Sequence, residues 1–292
     1  AKIDLVTGLV GEFPELQGVI GGYYAAASGE GETVSVAITS HYRPQGPNDD
    51  LPPSPTAMVV ALVDKIDTLV GFFGIDAKPT GSKDPFALRR AALGMIRIIV
   101  DGQLTLPLAT LFQSAAKGYG YAKVDDDLLP FIRERLRGYL LDQQVRHDIV
   151  AAALADTDGD DICLMATRAK ALVAFLETPD GDGLMIGWRR VSSILSAEEK
   201  KAKADFLPSC DPALFSETEN ELYASLSAMS EKHVNIEGQL IALCELRSPI
   251  DMFFDKIVVN DEDPKIRLNR LGLLAMIREK MLAVADFTKI EG

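Results

Sequence analysis

The sequence predicts an all-α fold built as two helical bundles, and three observations carry that reading. Apolar residues recur at three- and four-residue steps through most of the 292 residues, which is the period of an amphipathic helix. Capping residues, prolines and glycines punctuate these stretches at their ends. Convincing apolar–polar alternation is missing, with KIVVN at 256–260 the only candidate strand, and a short one.

Taken in order, residues 1–25 read as helix with Leu5, Leu9 and Val10 on one side, broken at Gly11 and Pro14. Glu30 to Glu32 lie in a polar turn before a short helix over 34–41. The segment RPQGPNDDLPPSP at 43–55 holds five prolines and excludes regular structure. The helix over 56–74 is marked by Ala61, Leu62, Ile66, Leu69, Val70 and Phe73. Asp84-Pro85 then supplies an N-cap and a first-position proline for a helix over 85–101, and 104–117 is a further one. GYGYAK at 118–123 is the best boundary, dividing 1–120 from 121–292. Three aspartates at 125–127 open a helix reaching about 142, where the dipole favours negative charge. Shorter helices follow at 148–154, 162–177 and 184–195, with PDGDG at 179–183 separating the last two. The segment 198–216 reads as a mobile connection. Two closing helices span about 217–255, broken near 233–235, and 264–285.

Composition narrows the class. No apolar run reaches the ~18 residues of a membrane span, and the start, AKIDLVTGLVGEF, lacks the pattern of a signal peptide. A cytoplasmic chain is expected, and an opening that reads as mid-helix suggests a preceding portion. Three cysteines, Cys163, Cys210 and Cys244, share no CxxC spacing and argue against a disulfide framework or zinc; buried small hydrophobes are expected. The formal net charge is -13 and the pI near 4.7. Phosphate binding is driven by Lys and Arg, so an RNA partner has to meet local basic faces on an acidic body.

The block KDPFALRRAALG at 83–94, with DKIDTLVGFFGI before it and GEFPELQGVIGGYYA at 11–25, resembles the beta subunit of bacterial heterotetrameric glycyl-tRNA synthetase. The similarity continues through HYRP at 41–44, FIRERLRGYL at 131–140, WRRVSSIL at 188–195 and the ending from FFDKIVVNDEDPKIRLNRLG at 253–272 to the C-terminus, collinear over essentially the whole chain. The resemblance implies a degenerate HD-like helical domain at 1–120, followed by a DALR-like anticodon-binding helical domain at 121–292. It implies a ligase joining glycine to tRNA(Gly) in a two-alpha, two-beta assembly. The alpha subunit supplies the active site and uses ATP and Mg; this chain carries no catalytic residue, metal or cofactor and contributes tRNA binding and subunit contacts.

Asp64 sits on a helix like the last metal-binding helix of HD-type phosphohydrolases, whose chemistry needs imidazoles and carboxylates around a divalent ion. The histidine supply fails here, because none precedes His41. Asp64 or Asp67 is then expected to pair with Arg89 or Arg90, since a buried charge needs a partner. His147-Asp148, the only literal HD pair, falls at a helix junction with Asp148 read as an N-cap, and His233 reads as a surface or capping residue. DTDGDDICL at 156–164 has the wrong spacing for a calcium loop. GDGLMIG at 181–187 is no dinucleotide fingerprint, and no P-loop occurs.

The basic sets are the remaining candidates. Trp188, Arg189 and Arg190 combine a ring for base stacking with guanidinium groups for phosphate, or else the Trp plugs the core. Lys265, Arg267 and Arg270 on the last long helix join them as tRNA-binding candidates by the resemblance. A metal phosphohydrolase, or a scaffold that binds only the partner subunit, are the rival readings.

Overall fold

A computed structural model describes residues 1–155, 159–229 and 235–291. Among them all regular structure is helical, and the one β-type pairing is an isolated bridge between Thr80 and Lys83. Of the strand candidate at 256–260, Lys256 closes a helix and 257–260 are irregular chain. Among the described residues no helix is long and apolar enough to cross a membrane.

Contacts divide the chain into two compact units, Ala1–Gln143 with Asp158–Ala166, and Gln144–Thr157 with Thr167–Gly292. The division therefore does not fall at 120/121. The Tyr119 and Tyr121 hydroxyls reach the backbone carbonyls of Asp67 and Gly71, 3.4 and 3.3 Å away. The Lys78 ammonium spans Asp125 and Asp127 at 2.9 and 2.7 Å, and the ring of Phe131 meets that of Phe73. These ties keep the helix after the 118–123 turn in the first unit.

In the first unit α1 (Gly8–Glu12), α2 (Val19–Ala27) and α3 (Glu32–Ser40) lead into the proline-rich loop. Ser54 and Pro55 then start α4 (Pro55–Gly74), the Ser54 hydroxyl accepting from the Ala57 N–H. Helix α5 (Leu88–Asp101) begins three residues later than its proline suggests. Ala87 turns left-handed at φ 54°, and the Asp84 carboxylate accepts from the N–H groups of Leu88 and Arg89 at 2.8 and 3.0 Å. Asp84 thus caps the helix from four residues upstream. Then come α6 (Leu108–Gly118) and α7 (Leu128–Asp142). Helix α4 packs on α3, α5 and α6, and α5 on α7, which buries Leu69, Met95, Ile96, Ile98, Phe112 and Ile132.

The second unit contains α8 (His147–Ala153), and α9 (Ile162–Leu176) enters it from the first. Helix α10 (Pro179–Ala202) is twice as long as its apolar pattern indicates, because PDGDG is its first turn and not a separator and because the helix runs on through 196–202. The Thr178 hydroxyl caps the Gly181 N–H at 3.0 Å, Pro179 takes the first position, and Asp180 and Asp182 lie where the helix dipole favours them. Helices α11 (Glu217–Ala228), α12 (Ile236–Glu245), α13 (Arg247–Lys256) and α14 (Pro264–Val284) complete the unit.

The segment after α10, read as a mobile connection, is fixed to α14. The Asp211 N–H donates to the Asn269 side chain at 2.6 Å and the Asn269 amide returns a bond to the Asp211 carbonyl at 3.1 Å. A side chain at Gly272 would collide with the Ser209 carbonyl, so glycine permits the approach.

Asp148 is not the N-cap of α8 but a buried anchor, 3 % exposed. Its carboxylate takes Arg146, the Ile149 N–H and the Glu291 N–H, both N–H groups at 2.9 Å. Burial pushes its pKa up, but Arg146 and the two N–H groups outweigh that and hold it below the ordinary carboxylate value. Asp148→Asn is expected to cost roughly 1.5–3 kcal/mol at neutral pH, as lost hydrogen bonds to a charge do. With the folded pKa depressed, the stabilisation is complete above the unfolded carboxylate value and disappears as pH falls through the folded one. Urea unfolding at neutral and acid pH checks this: the gap between wild type and variant should close in acid, and a gap that persists there would contradict it.

Candidate functional site: a neutralised acid pocket and a pair-locked basic face

Two regions hold the residues singled out above, one in each unit. In the first unit, α4 places Asp64 and Lys65 side by side, and the 3-10 turn Ile3–Val6 brings Lys2 to them. The Lys2 ammonium lies 2.9 Å from the Asp64 carboxylate, 3.4 Å from His41 Nε2 and 4.0 Å from the centre of the Tyr42 ring. Burial disfavours its charge, but Asp64 and Tyr42 more than compensate and its pKa stands above the ordinary value. His41 is buried, and burial pulls its pKa down against the Ile38 carbonyl, which Nδ1 contacts at 2.6 Å.

This corrects the expected pairing. Asp64 meets Lys2 and neither Arg89 nor Arg90, and Asp67 offers its backbone carbonyl to Tyr119. Arg89 instead donates to the Gly81 carbonyl at 2.6 Å, because it stands in the first turn of α5 beside the 80–84 turn. Arg90 is exposed and makes no ion pair or hydrogen bond among the described residues. Also among those residues, no group of three His, Cys, Asp or Glu side chains is placed to hold a metal ion. His147 is exposed and lies 3.7 Å from Glu291. His233 and residues 156–158 of the acidic turn lie outside the described residues.

Lys65, only 4 % exposed, was not singled out by its sequence. Its ammonium donates to the carbonyls of Tyr42 and Arg43 at 3.2 and 2.9 Å, with that of His41 at 3.4 Å. Gly94 makes room for it, since a methyl group there would lie 2.5 Å from Lys65 Cε. Burial pushes its pKa down to about 8, with Asp64 resisting. Its recoverable signal was a lysine on the apolar face of a helix.

In the second unit α10 and α14 position the basic candidates. Trp188 is 2 % exposed with its ring edge toward Phe287, so it fills the core and is not open for a base. Arg270 is committed within the protein: it donates to Glu219 at 2.8 Å, Asp261 at 2.7 Å and the Val258 carbonyl at 2.8 Å. Arg267 pairs with Glu198, and Arg278 with Glu199 and the Phe206 carbonyl at 2.7 and 2.9 Å. The guanidinium groups of α14 thus hold the unit together. Glu219 shows the effect: burial raises its pKa, but Ser216 and Arg270 prevail and it falls below the usual range. Arg189, Arg190 and Lys265 are exposed, and their side chains form no ion pair or hydrogen bond among the described residues. Cys163 is buried, while Cys210 and Cys244 are half-buried.

The chain is thus helical in two units, with the arginines of α14 paired to carboxylates. Its relatives give the class. Residues 1–155 match the family model described as glycyl-tRNA synthetase beta subunit, and the chain belongs to that family. It is 48 % identical over 301 aligned residues to the glycine–tRNA ligase beta subunit of Phenylobacterium zucineum (strain HLK1), a match that takes in 100 % of this chain and 43 % of that protein. The chain therefore spans less than half the length of this curated relative.

Lys65 gives a direct check on the first-unit geometry. The unfolded chain keeps this proton up to about 10.5 and the folded one only to about 8, so between them the unfolded state binds more protons and this group makes stability rise with pH. Carbon-13 dimethyl-lysine NMR should show one resonance titrating near 8, lost in Lys65→Met. All lysines titrating near the ordinary value would refute the buried ammonium.

Proposed function

We propose that this chain is the tRNA-binding and subunit-assembly portion of the beta subunit of glycine–tRNA ligase. It supports ATP-dependent glycylation of tRNA(Gly) whose active site, with its ATP and Mg, lies on the alpha subunit of a cytoplasmic two-alpha, two-beta assembly. The observation that carries this reading is the 48 % identity that extends along the entire chain. The first unit takes the part of the degenerate HD-like domain and the second that of the anticodon-binding domain. No residue here acts as acid, base or nucleophile; the contribution to rate is the positioning of bound tRNA, which works through binding energy.

The chemistry of the two sites supports the assignment. In the first unit a lysine ammonium stands against the one HD-type carboxylate, Asp64, at 2.9 Å. In the second, Arg267 and Arg270 are committed to protein carboxylates, so of the sequence-predicted tRNA-binding residues those free to meet an RNA backbone are Arg189, Arg190 and Lys265. Each phosphate contact releases about 0.9 of a counterion on duplex nucleic acid. Arg189→Ala and Lys265→Ala should therefore each weaken tRNA(Gly) binding in the presence of the alpha subunit, and each should flatten the slope of log affinity against log salt by about one. Filter binding over a salt series measures it, and slopes equal to wild type in both variants would count against the RNA contacts.

A further inference from the structure

We propose that the groove beside Arg190 in the second unit is a stacking site for one unpaired RNA base. The inference rests on the RNA-binding reading of that unit and assigns the stacking role to a different residue from the tryptophan.

Arg190 lies on α10 with its guanidinium carbon 4.3 Å from the centre of the Phe254 ring. Phe254 is buried and braced by the buried Phe253, with which it makes an edge contact at 5.4 Å. The guanidinium thus lies over an aromatic floor that is itself packed in the core. Its nitrogens have no hydrogen-bond or ion-pair partner among the described residues. A planar guanidinium supported on one face by an aromatic ring is prepared to stack on a second planar group.

The groove has about 460 Å³ of open volume, which accommodates a nucleoside-sized group. The exposed Val258 gives it apolar surface, while Ser193 and Asn260 offer a hydroxyl and an amide for a base edge. Glu198, the carboxylate in the groove, is occupied by Arg267 and Lys201. The combination favours a base in single-stranded RNA, whose π-face is free, over a duplex, whose bases are covered.

The test is fluorescence anisotropy of the chain, with the alpha subunit present, against a labelled single-stranded RNA and a duplex of equal length, using wild type, Arg190→Lys and Arg190→Ala. Arg190→Lys keeps the charge and loses the plane. Because the side chain is exposed, both variants should give the wild-type circular dichroism spectrum. Wild type is expected to prefer the single strand. Arg190→Lys should lose about five- to hundredfold in single-strand affinity, the range of one stacking contact, with the salt slope unchanged and duplex binding unaffected. If Arg190→Lys binds the single strand as wild type does, or if wild type binds both RNAs equally, the stacking site is refuted while RNA binding stands. If wild type binds neither RNA, both the site and the RNA-binding reading fail.

Discussion

The second unit depends on matching carboxylates that folding has removed from water. Glu219 is the clearest instance, its side chain 2 % exposed and held by an Arg270 that is itself 12 % exposed. A charge so placed costs several kcal/mol unless an opposite charge and further hydrogen bonds accompany it. Arg270 supplies the charge and also reaches Asp261 and the Val258 carbonyl, so one guanidinium joins α14 to the start of α11 and to the turn after α13. Arg267 and Arg278 repeat the device against Glu198 and Glu199 near the end of α10.

This matching limits what the chain can do with its charge. A strongly acidic protein has few cations to spare, and most of those on α14 are engaged in holding helices. The first unit follows the same rule with lysines. Lys2 meets Asp64, and Lys65 is taken up by backbone carbonyls of the 41–43 turn. The groups left for a polyanion are those that no carboxylate claims, which is why Arg189, Arg190 and Lys265 carry the functional reading and Arg270 does not.

Much of the fold was legible in the sequence, where local chemistry decides local structure. The apolar period of 56–74 and 264–285 yields α4 and α14 nearly to the residue. What stayed illegible depends on distant partners or on unusual backbone. Ala87 in the left-handed region separates Asp84 from the helix it caps. PDGDG has the composition of a turn and serves as a first helical turn because Thr178 caps it. The strap at 203–216 is polar and loop-like, yet Asn269 fixes it across 58 residues of sequence.

The candidate sites divide in the same way. Identifying the basic residues needed only the sequence, but deciding which were spent needed their neighbours. Trp188 and Arg190 are two positions apart on one helix, and only packing distinguishes the buried ring from the exposed guanidinium. Asp64 and Lys2 are 62 residues apart, a pairing that no helical period foretells.

The central claim is that the arginines of α14 are structural cations. A double-mutant cycle on Arg270→Met and Glu219→Gln, read by urea unfolding, measures it most directly. The expected coupling energy is about 2 kcal/mol or more, with the double variant more stable than Arg270→Met alone because no buried charge is left unmatched. A coupling below about 0.5 kcal/mol, within the range of independent sites, would contradict it.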